Sequence, residues 1–196
     1  QIRDGQRLIR RRLAPIVGRD NIFCDPFTLN AHVTDATNWR LCLPLAVVRP
    51  TREAHVPLVI QAIAETGFKV VPRGGGTGLT GGSVPLENGC VIVNTEQLNR
   101  IHGIETHEMP TPDRSNRQVA VIHLESGVIT DAAMAYAAEQ GLVFATDPTS
   151  AWACTIGGNI AENAGGKTAV LWGTAIDNLL SFSIAMPDGR SYTIRR

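Results

Sequence analysis

The sequence lacks the features that mark several large classes of protein. Its four cysteines stand far apart and form no C-x-x-C pair, which argues against a zinc site or an iron–sulfur cluster built on cysteine. No apolar run approaches the length of a membrane span, and the first residues contain no signal-peptide core. Basic and acidic residues balance at 18 each, so bulk charge predicts no binding to nucleic acid. We therefore expect a cytoplasmic protein with free thiols, and leave open whether the full-length protein attaches to a membrane surface.

Two further features are typical of ordinary structural roles. The histidines His102, His107 and His123 follow no regular spacing, and we expect no metal site among them. The basic N-terminal segment, which includes Arg10–Arg12, carries apolar residues at helical spacing. It predicts an amphipathic helix with a solvated basic face.

The most informative segment of the sequence is Arg73–Gly82, which has six glycines in ten positions. Glycine loses more backbone entropy on ordering than any other residue, so this composition disfavours helix and regular strand. It permits a backbone that turns its N–H groups toward a ligand, with no Cβ in the way. Converging N–H groups bind anions, and phosphate is the commonest biological anion of suitable size. The segment predicts a nucleotide-binding loop, and a solvent-facing glycine-rich turn is the alternative.

This loop differs from the two most familiar phosphate-binding motifs. Gly78 is followed by Leu79, so the Gly-Lys-Ser/Thr end of a Walker A loop is missing. Gly76, Gly78 and Gly81 have the glycine spacing of the Rossmann fingerprint, but the residues that follow include Pro85 and do not begin a helix. The loop therefore favours a nucleotide site of another kind.

The first half of the chain alternates strand and helix patterns. It predicts strands at Ala46–Pro50, Lys69–Pro72 and Cys90–Asn94, with a helix between Thr51 and Gly67. Pro57 predicts either a kinked first turn or a later start for this helix. The glycine-rich segment directly follows the second of these strands.

The second half begins with a polar segment. Thr106–Gln118 contains two prolines and predicts an exposed connection, followed by a strand at Val119–Glu125 and a helix at Thr130–Gln140. Ser183–Met186 and Ser191–Ile194 predict a hairpin. Because nothing in the sequence would cover a terminal hairpin, we expect the sequence to continue beyond its last residue.

A second glycine cluster lies at Thr155–Gly166 and contains two Gly-Gly pairs. Asn159 and Asn163 are four apart and are expected to present their amides on one side of a helical turn. Taken alone, the cluster is typical of a helix packed closely against a sheet. Taken with the first cluster, it predicts the opposite wall of the same ligand cleft.

These motifs together resemble the flavin oxidoreductases of the vanillyl-alcohol oxidase / p-cresol methylhydroxylase (PCMH-type) family. The similarity is greatest to the group of FAD-linked D-lactate dehydrogenases and glycolate oxidase subunits. The resemblance implies an α+β fold: a PCMH-type FAD-binding domain of two α+β lobes, truncated at the C-terminus. It implies a helical extension at 1–33, a smaller lobe at 34–105 and an incomplete larger lobe at 106–196. The motifs that carry it are Asp35–Thr37, Pro44–Pro50, Pro72–Leu79, Gly127–Val128, Gly141–Leu142, Asp147–Pro148, Thr155–Gly166 and Pro187–Gly189.

The resemblance also implies which residues bind the cofactor. The first loop would hold the FAD pyrophosphate through backbone N–H groups, and the later residues would lie beside the flavin. Thr77 stands where some relatives carry a histidine that binds FAD covalently, so a non-covalent flavin is expected. The implied cofactor-binding residues are Arg73, Gly74, Gly75, Gly76, Thr77, Gly78, Leu79, Pro148, Thr149, Ser150, Gly157, Gly158, Ala161, Asn163, Ala164 and Gly165.

The activity that the resemblance implies is oxidation of a 2-hydroxy acid such as lactate or glycolate, by hydride transfer to the flavin. In that family a separate cap domain holds the small-molecule substrate, so no catalytic residue is assigned here and this segment alone is expected to retain FAD weakly and to lack activity. The electron acceptor stays undefined. Two alternatives are open: a non-redox nucleotide-binding module, and an NAD(P)H-dependent reductase on the same fold.

Overall fold

A computed structural model describes residues 2–110 and 115–196 of the chain. Contacts divide the chain into two units, one formed by residues 1–98 and 181–196 and the other by residues 99–180. The helices are α1 (Ile2–Val17), α2 (Pro26–Ala31), α3 (His55–Ala64), α4 (Thr130–Glu139), α5 (Ile156–Ala161) and α6 (Ala169–Trp172). The strands are β1 (Ile22–Phe23), β2 (Ala46–Val48), β3 (Lys69–Arg73), β4 (Cys90–Asn94), β5 (Ile101–Pro110), β6 (Asn116–Leu124), β7 (Ser181–Ala185) and β8 (Ser191–Arg195).

The first unit is built on a four-stranded sheet in the order β1-β2-β4-β3. Strands β2 and β3 both run parallel to β4, and β1 pairs antiparallel with β2. Every residue of β2 and β4 is buried, as expected for central strands covered on both faces. Val48 packs with α1 and α3, whereas Val47 packs with Leu29 of α2 on the other face. The strands predicted at Ala46–Pro50, Lys69–Pro72 and Cys90–Asn94 are confirmed as β2, β3 and β4.

Helix α1 belongs to the core of this unit. Its buried residues are Gly5, Ile9, Leu13 and Val17, spaced by four so that they form one stripe. The arginines between them are exposed. The predicted amphipathic helix is confirmed.

Helix α3 begins later than Thr51, the first residue of the predicted helix. The backbone turns through residues 51–54, and the helix runs from His55 with no side-chain cap. Pro57 thus lies in the first turn, where its missing N–H breaks no helical hydrogen bond. Of the two outcomes predicted from Pro57, the later start is confirmed.

The second unit starts with a long antiparallel hairpin that the sequence did not predict. Strands β5 and β6 pair from Ile101–Leu124 at the base to Pro110–Asn116. The exposed connection predicted at Thr106–Gln118 is therefore wrong for residues 106–110 and 116–118, which are paired strand, while residues 111–114 lie outside the described residues. Strand β6 includes most of the strand predicted at Val119–Glu125, but residues 105–108 and 116–118 are polar and have no apolar alternation that would predict strand.

A small core anchors this hairpin within the second unit. Val128, Ala133 and Ile156 are buried, and Ile101 and Leu124 from the base of the hairpin pack against them. The helix predicted at Thr130–Gln140 is confirmed as α4.

An ion pair between an exposed arginine and a buried glutamate also fixes the base of the hairpin. The Arg100 guanidinium donates to Glu125 Oε1 at 2.7 and 2.9 Å, and the Arg100 backbone N–H donates to Oε2 at 2.9 Å. Burial alone raises the pKa of Glu125, but the hydrogen bonds and charge of Arg100 outweigh it. The pKa of Glu125 therefore lies below its ordinary value.

The hairpin predicted near the end of the chain is confirmed by β7 and β8, which pair from Ser181–Arg195 to Ala185–Ser191 within the first unit. The two units differ from the predicted lobes, since the boundary between residues 105 and 106 falls inside β5. The division into FAD-binding lobes stays a prediction. Across residues 2–110 and 115–196, no helix combines the length and the apolar character needed to cross a membrane.

Candidate cofactor site

The first glycine-rich loop starts where β3 ends, at the carboxyl edge of the parallel sheet. This edge is where α/β sheets bind ligands. Within the described part of the chain, the N–H groups of Gly75–Leu79 donate no hydrogen bond to protein. They are therefore available to a ligand, as the sequence predicts for an anion-binding loop.

The side chain of Arg73 folds back against the loop, and its guanidinium lies next to Gly76. Its Nη1 donates to the Thr34 carbonyl at 2.7 Å and to Ser83 Oγ at 3.3 Å. Gly76 has φ 67°, and a Cβ at that position would overlap the Arg73 guanidinium. Glycine is favoured here, because the backbone is left-handed and an added Cβ would displace the arginine side chain.

Charge at Arg73 is held in a partly buried setting. Burial lowers the pKa of Arg73, and the carboxylates of Glu96 and Asp35 act in the opposite direction. An arginine stays protonated in proteins, so a fixed positive charge lies beneath the loop. The Arg73 carbonyl accepts from the Thr95 backbone N–H at 2.9 Å, which fixes the start of the loop.

A short segment around Asp35 lies against the glycine loop. Asp35 Oδ1 accepts from the backbone N–H and the hydroxyl of Thr37 at 2.8 and 2.6 Å, and the Ala36 N–H donates to the Gly78 carbonyl at 3.2 Å. Trp39 packs on Gly81 from the same segment. Asp35 Oδ2 is buried and has no hydrogen-bond partner among the described residues. This unpaired oxygen is an acceptor that a ligand hydroxyl or amine would satisfy.

A buried polar network lies at the carboxyl end of β4. His32 Nδ1 lies 2.8 Å from the Thr28 carbonyl, and the Asn94 side-chain amide donates to His32 Nε2 at 3.2 Å and to Glu96 Oε2 at 2.9 Å. Burial lowers the pKa of His32, in keeping with a neutral ring whose Nδ1 carries the proton. The network holds Glu96, one of the two carboxylates that act on Arg73.

Sequence reasoning gave no role to His32, Asn94 or Asp35. The signal for Asn94 was present, since it is the one polar residue that ends an otherwise apolar strand. Asp35 stood only inside a family motif. Its position next to the glycine-rich loop depends on tertiary contacts, which the spacing of residues in the sequence does not reveal.

The later predicted residues fall in the second unit, in two adjoining segments. Residues 148–154 form a tight turn in which the Ala151 N–H donates to the Pro148 carbonyl at 2.9 Å and the Cys154 N–H donates to the Ser150 carbonyl at 2.8 Å. Thr155 caps the N-terminus of α5, accepting from the Gly158 N–H at 3.4 Å. The turn therefore places Pro148, Thr149 and Ser150 near the start of this helix.

The second of these segments returns to lie beside the first. The Lys167 N–H donates to the Asp147 carbonyl at 3.2 Å, and the Lys167 ammonium lies 3.5 Å from Asp147 Oδ2. Gly166 approaches so closely that a Cβ there would overlap the Asp147 carbonyl. Ala164 and Gly165, which precede this contact, are thereby held near Pro148.

The two asparagines of this cluster do not share a helical face. Asn159 is buried in α5 and donates to Thr130 Oγ1 at 2.6 Å. Asn163 lies beyond the helix with φ 49°, and its Oδ1 accepts from the Ile176 N–H at 3.0 Å. The expected pair is therefore wrong, because α5 ends at Ala161, two residues before Asn163.

Close packing against Ser126 explains why residue 157 is a glycine. Its N–H donates to the Ser126 carbonyl at 2.7 Å, and a Cβ there would lie 2.8 Å from the Ser126 Cβ. The backbone at Gly157 thus faces protein. Gly158 and Ala161 lie on the same short helix, Gly158 half-buried and Ala161 exposed.

Comparison with known proteins decides between the possible kinds of nucleotide site. The sequence profile of the family described as FAD binding domain matches residues 44–195. The chain belongs to this family. The resemblance inferred from the glycine clusters is confirmed, and FAD is the cofactor of the family.

The relatives of this FAD-binding domain are longer proteins. It is 36% identical over 151 residues to the glycolate oxidase subunit GlcD of Escherichia coli K12, covering 77% of this chain and 28% of that protein. It is 32% identical over 146 residues to D-lactate dehydrogenase of Anaerostipes hadrus, covering 74% of this chain and 28% of that protein. The chain thus spans under a third of the length of these curated relatives.

A solved structure confirms the fold. Crystalline p-cresol methylhydroxylase with substrate bound superposes with a TM-score of 0.75 at 18% identity, covering 97% of this chain and 35% of that chain. The predicted α+β, PCMH-type architecture is therefore correct.

Proposed function

We propose that this chain is the FAD-binding part of a flavin-dependent dehydrogenase that oxidises a small 2-hydroxy acid of the lactate or glycolate type. The observation that carries the proposal is the loop at Gly75–Leu79, whose unpaired N–H groups lie beside a partly buried arginine in a member of an FAD-binding family. The names of the relatives, a glycolate oxidase subunit and a D-lactate dehydrogenase, support the substrate class.

In this proposal the backbone N–H groups of Gly74–Leu79 bind the FAD pyrophosphate. The positive charge of Arg73 stabilises the same anion from within the loop, across a partly desolvated region where charges interact more strongly than in water. Asp35 Oδ2, buried without a partner in the described chain, accepts a hydrogen bond from the bound cofactor.

In the second unit, the residues proposed to contact FAD are those that the sequence predicted. They are Pro148, Thr149, Ser150, Gly157, Gly158, Ala161, Asn163, Ala164 and Gly165. Among these, Gly157 acts through packing against Ser126, which sets the position of α5. The isoalloxazine ring supplies the redox chemistry when FAD is bound, and the protein orients it.

The flavin is proposed to be held without a covalent bond. The loop carries Thr77 as its only side chain with a hydroxyl between Arg73 and Leu79, and this stretch contains no histidine, cysteine or tyrosine. Acid precipitation of the purified protein should therefore release all of its FAD into the supernatant. Flavin that stays with the pellet would contradict this part of the proposal.

The activity is tested with the full-length protein that carries this sequence. The flavin absorbance of the purified protein should bleach under anaerobic conditions on addition of D-lactate, glycolate or a related 2-hydroxy acid. Bleaching by NAD(P)H alone would support the reductase alternative. A colourless protein that binds ADP and does not take up FAD would support the non-redox module and overturn the proposal.

A further inference from the structure

The β5–β6 hairpin carries three metal-binding side chains on one face. Glu105 and His107 are two residues apart on β5, so their side chains point to the same face of the ribbon. His123 on β6 pairs with Gly103, which is two residues before Glu105 and therefore shares that face. Antiparallel pairing thus brings together residues that lie 16 and 18 positions apart in the sequence.

The distances between their ligand atoms match those around a zinc ion. Glu105 Oε2 lies 3.5 Å from His107 Nε2 and 3.6 Å from His123 Nε2, and all three atoms lie within 4.8 Å of one another. Zinc bonds to nitrogen and oxygen of about 2.0–2.2 Å in a tetrahedral site place neighbouring ligand atoms about 3.3–3.6 Å apart. Only the two imidazoles need to adjust to meet one ion.

The imidazole of His107 is otherwise unused. Its Nε2 is enclosed by protein and has no hydrogen-bond partner among the residues that the structure describes. The rings of His107 and His123 lie 6.1 Å apart at an angle of 49°, so the two imidazoles are neighbours on the ribbon. An enclosed ring nitrogen that lies 3.5 Å from a carboxylate oxygen is placed so that both atoms can bind the same ion.

We propose that Glu105, His107 and His123 bind one Zn²⁺ ion, with water as the fourth ligand. Two imidazoles and one carboxylate suit Zn²⁺, whereas Mg²⁺ and Ca²⁺ prefer oxygen ligands alone. The Glu105 side chain is 69% exposed, so the ion enters from solvent and keeps a water on its open side. The ion would link the two strands of the ribbon. None of the three ligand residues is among those proposed to bind FAD.

The test uses the full-length protein, stripped of metal by dialysis against a chelator and titrated with Zn²⁺ in competition with a fluorescent chelator. Zinc should bind with one equivalent at this site, and His107→Asn, His123→Asn and Glu105→Gln should each weaken binding about 10-fold or more. The matched control is His102→Asn, because His102 is an exposed histidine on the same strand that does not belong to the triad. It should leave the affinity unchanged.

Two measurements separate zinc bound by this triad from zinc bound elsewhere on the protein. The titration is carried out in a Cys24→Ser/Cys42→Ser background, since these thiols are partly exposed and also bind zinc. NMR of the histidine rings in this otherwise wild-type protein should show Zn²⁺ shifting the signals of His107 and His123 but not that of His102. The proposal is overturned if no equivalent of zinc binds, if His102→Asn weakens binding as much as His123→Asn, or if the ring signals do not move.

Discussion

The contact between Gly166 and the Asp147 carbonyl gives the sharpest test of the architecture of the second unit. Gly166 has φ 152°, and the nearest atoms to an added Cβ all belong to the backbone of Asp147 and Pro148. A backbone cannot rotate away as a side chain can. Gly166→Ala should therefore force the two segments of the predicted cofactor site apart and strain the hydrogen bond from the Lys167 N–H.

The expected loss of stability follows from two contributions. A non-glycine residue in a sparsely populated backbone region costs about 1–3 kcal/mol. Overpacking against a neighbour that must shift costs a further ~1–3 kcal/mol. The matched control is Gly141→Ala in the same unit, where φ is 71° and nothing lies within 4 Å of an added Cβ. Only the strain of a left-handed residue applies there, about 1–2 kcal/mol.

The assay is urea unfolding of both variants, followed by tryptophan fluorescence and circular dichroism. Gly166→Ala should lose more free energy of unfolding than Gly141→Ala, and in the full-length protein it should also weaken FAD binding more. Equal losses of stability in the two variants would refute the reasoning, because they would mean that the two segments do not approach as described.

Two further predictions follow from the loop and from the hairpin base. Gly76→Ala should displace the Arg73 guanidinium and weaken FAD binding by about 10-fold, or ~1.4 kcal/mol, whereas Gly67→Ala, at φ 80° with open space around it, should leave the FAD dissociation constant unchanged. Arg100→Ala should lower the free energy of unfolding at neutral pH by about 1–3 kcal/mol, because it removes two hydrogen bonds from the buried Glu125 carboxylate. The pKa of Glu125 is lowered by folding, so this contribution is present above its unfolded pKa of about 4.3 and is lost as the pH falls through the lower folded value. Denaturation series at pH 7 and pH 3 should show the variant and wild type converging, and a gap that persists at the lower pH would contradict the assignment.

How much of the fold the sequence predicts depends on burial. Strands β2 and β4 are buried on both faces and appear as apolar runs, so their positions follow from composition alone. The β5–β6 ribbon is anchored by Ile101 and Leu124 at its base, and its residues 105–108 and 116–118 are polar. Its strands are held by pairing with each other, which a single-sequence pattern does not record. Residues 106–110 and 116–118, predicted as an exposed connection, are therefore strand.

The sequence predicts the part of the candidate site that backbone N–H groups form. It does not predict the parts in which side chains from distant segments come together. Six glycines mark the loop at residues 73–82 in the sequence, and two of them, Gly76 and Gly81, have the left-handed backbone that favours glycine. The metal-binding triad needs the strand register, and the Asp35 segment needs a contact across 43 residues, from Ala36 to Gly78. Neither leaves a trace in local spacing.

The role of Arg73 shows how the two levels combine. From the sequence, the missing Walker lysine left the loop without an evident cation, and Arg73 was only the first residue of a backbone cradle. In the structure its guanidinium lies against Gly76 of the loop and donates a hydrogen bond to the Thr34 carbonyl. The planar guanidinium is always charged, and its hydrogen bonds therefore fix a positive charge beside the loop. The glycine at position 76 is thus favoured twice, by the left-handed turn and by the space that the arginine occupies.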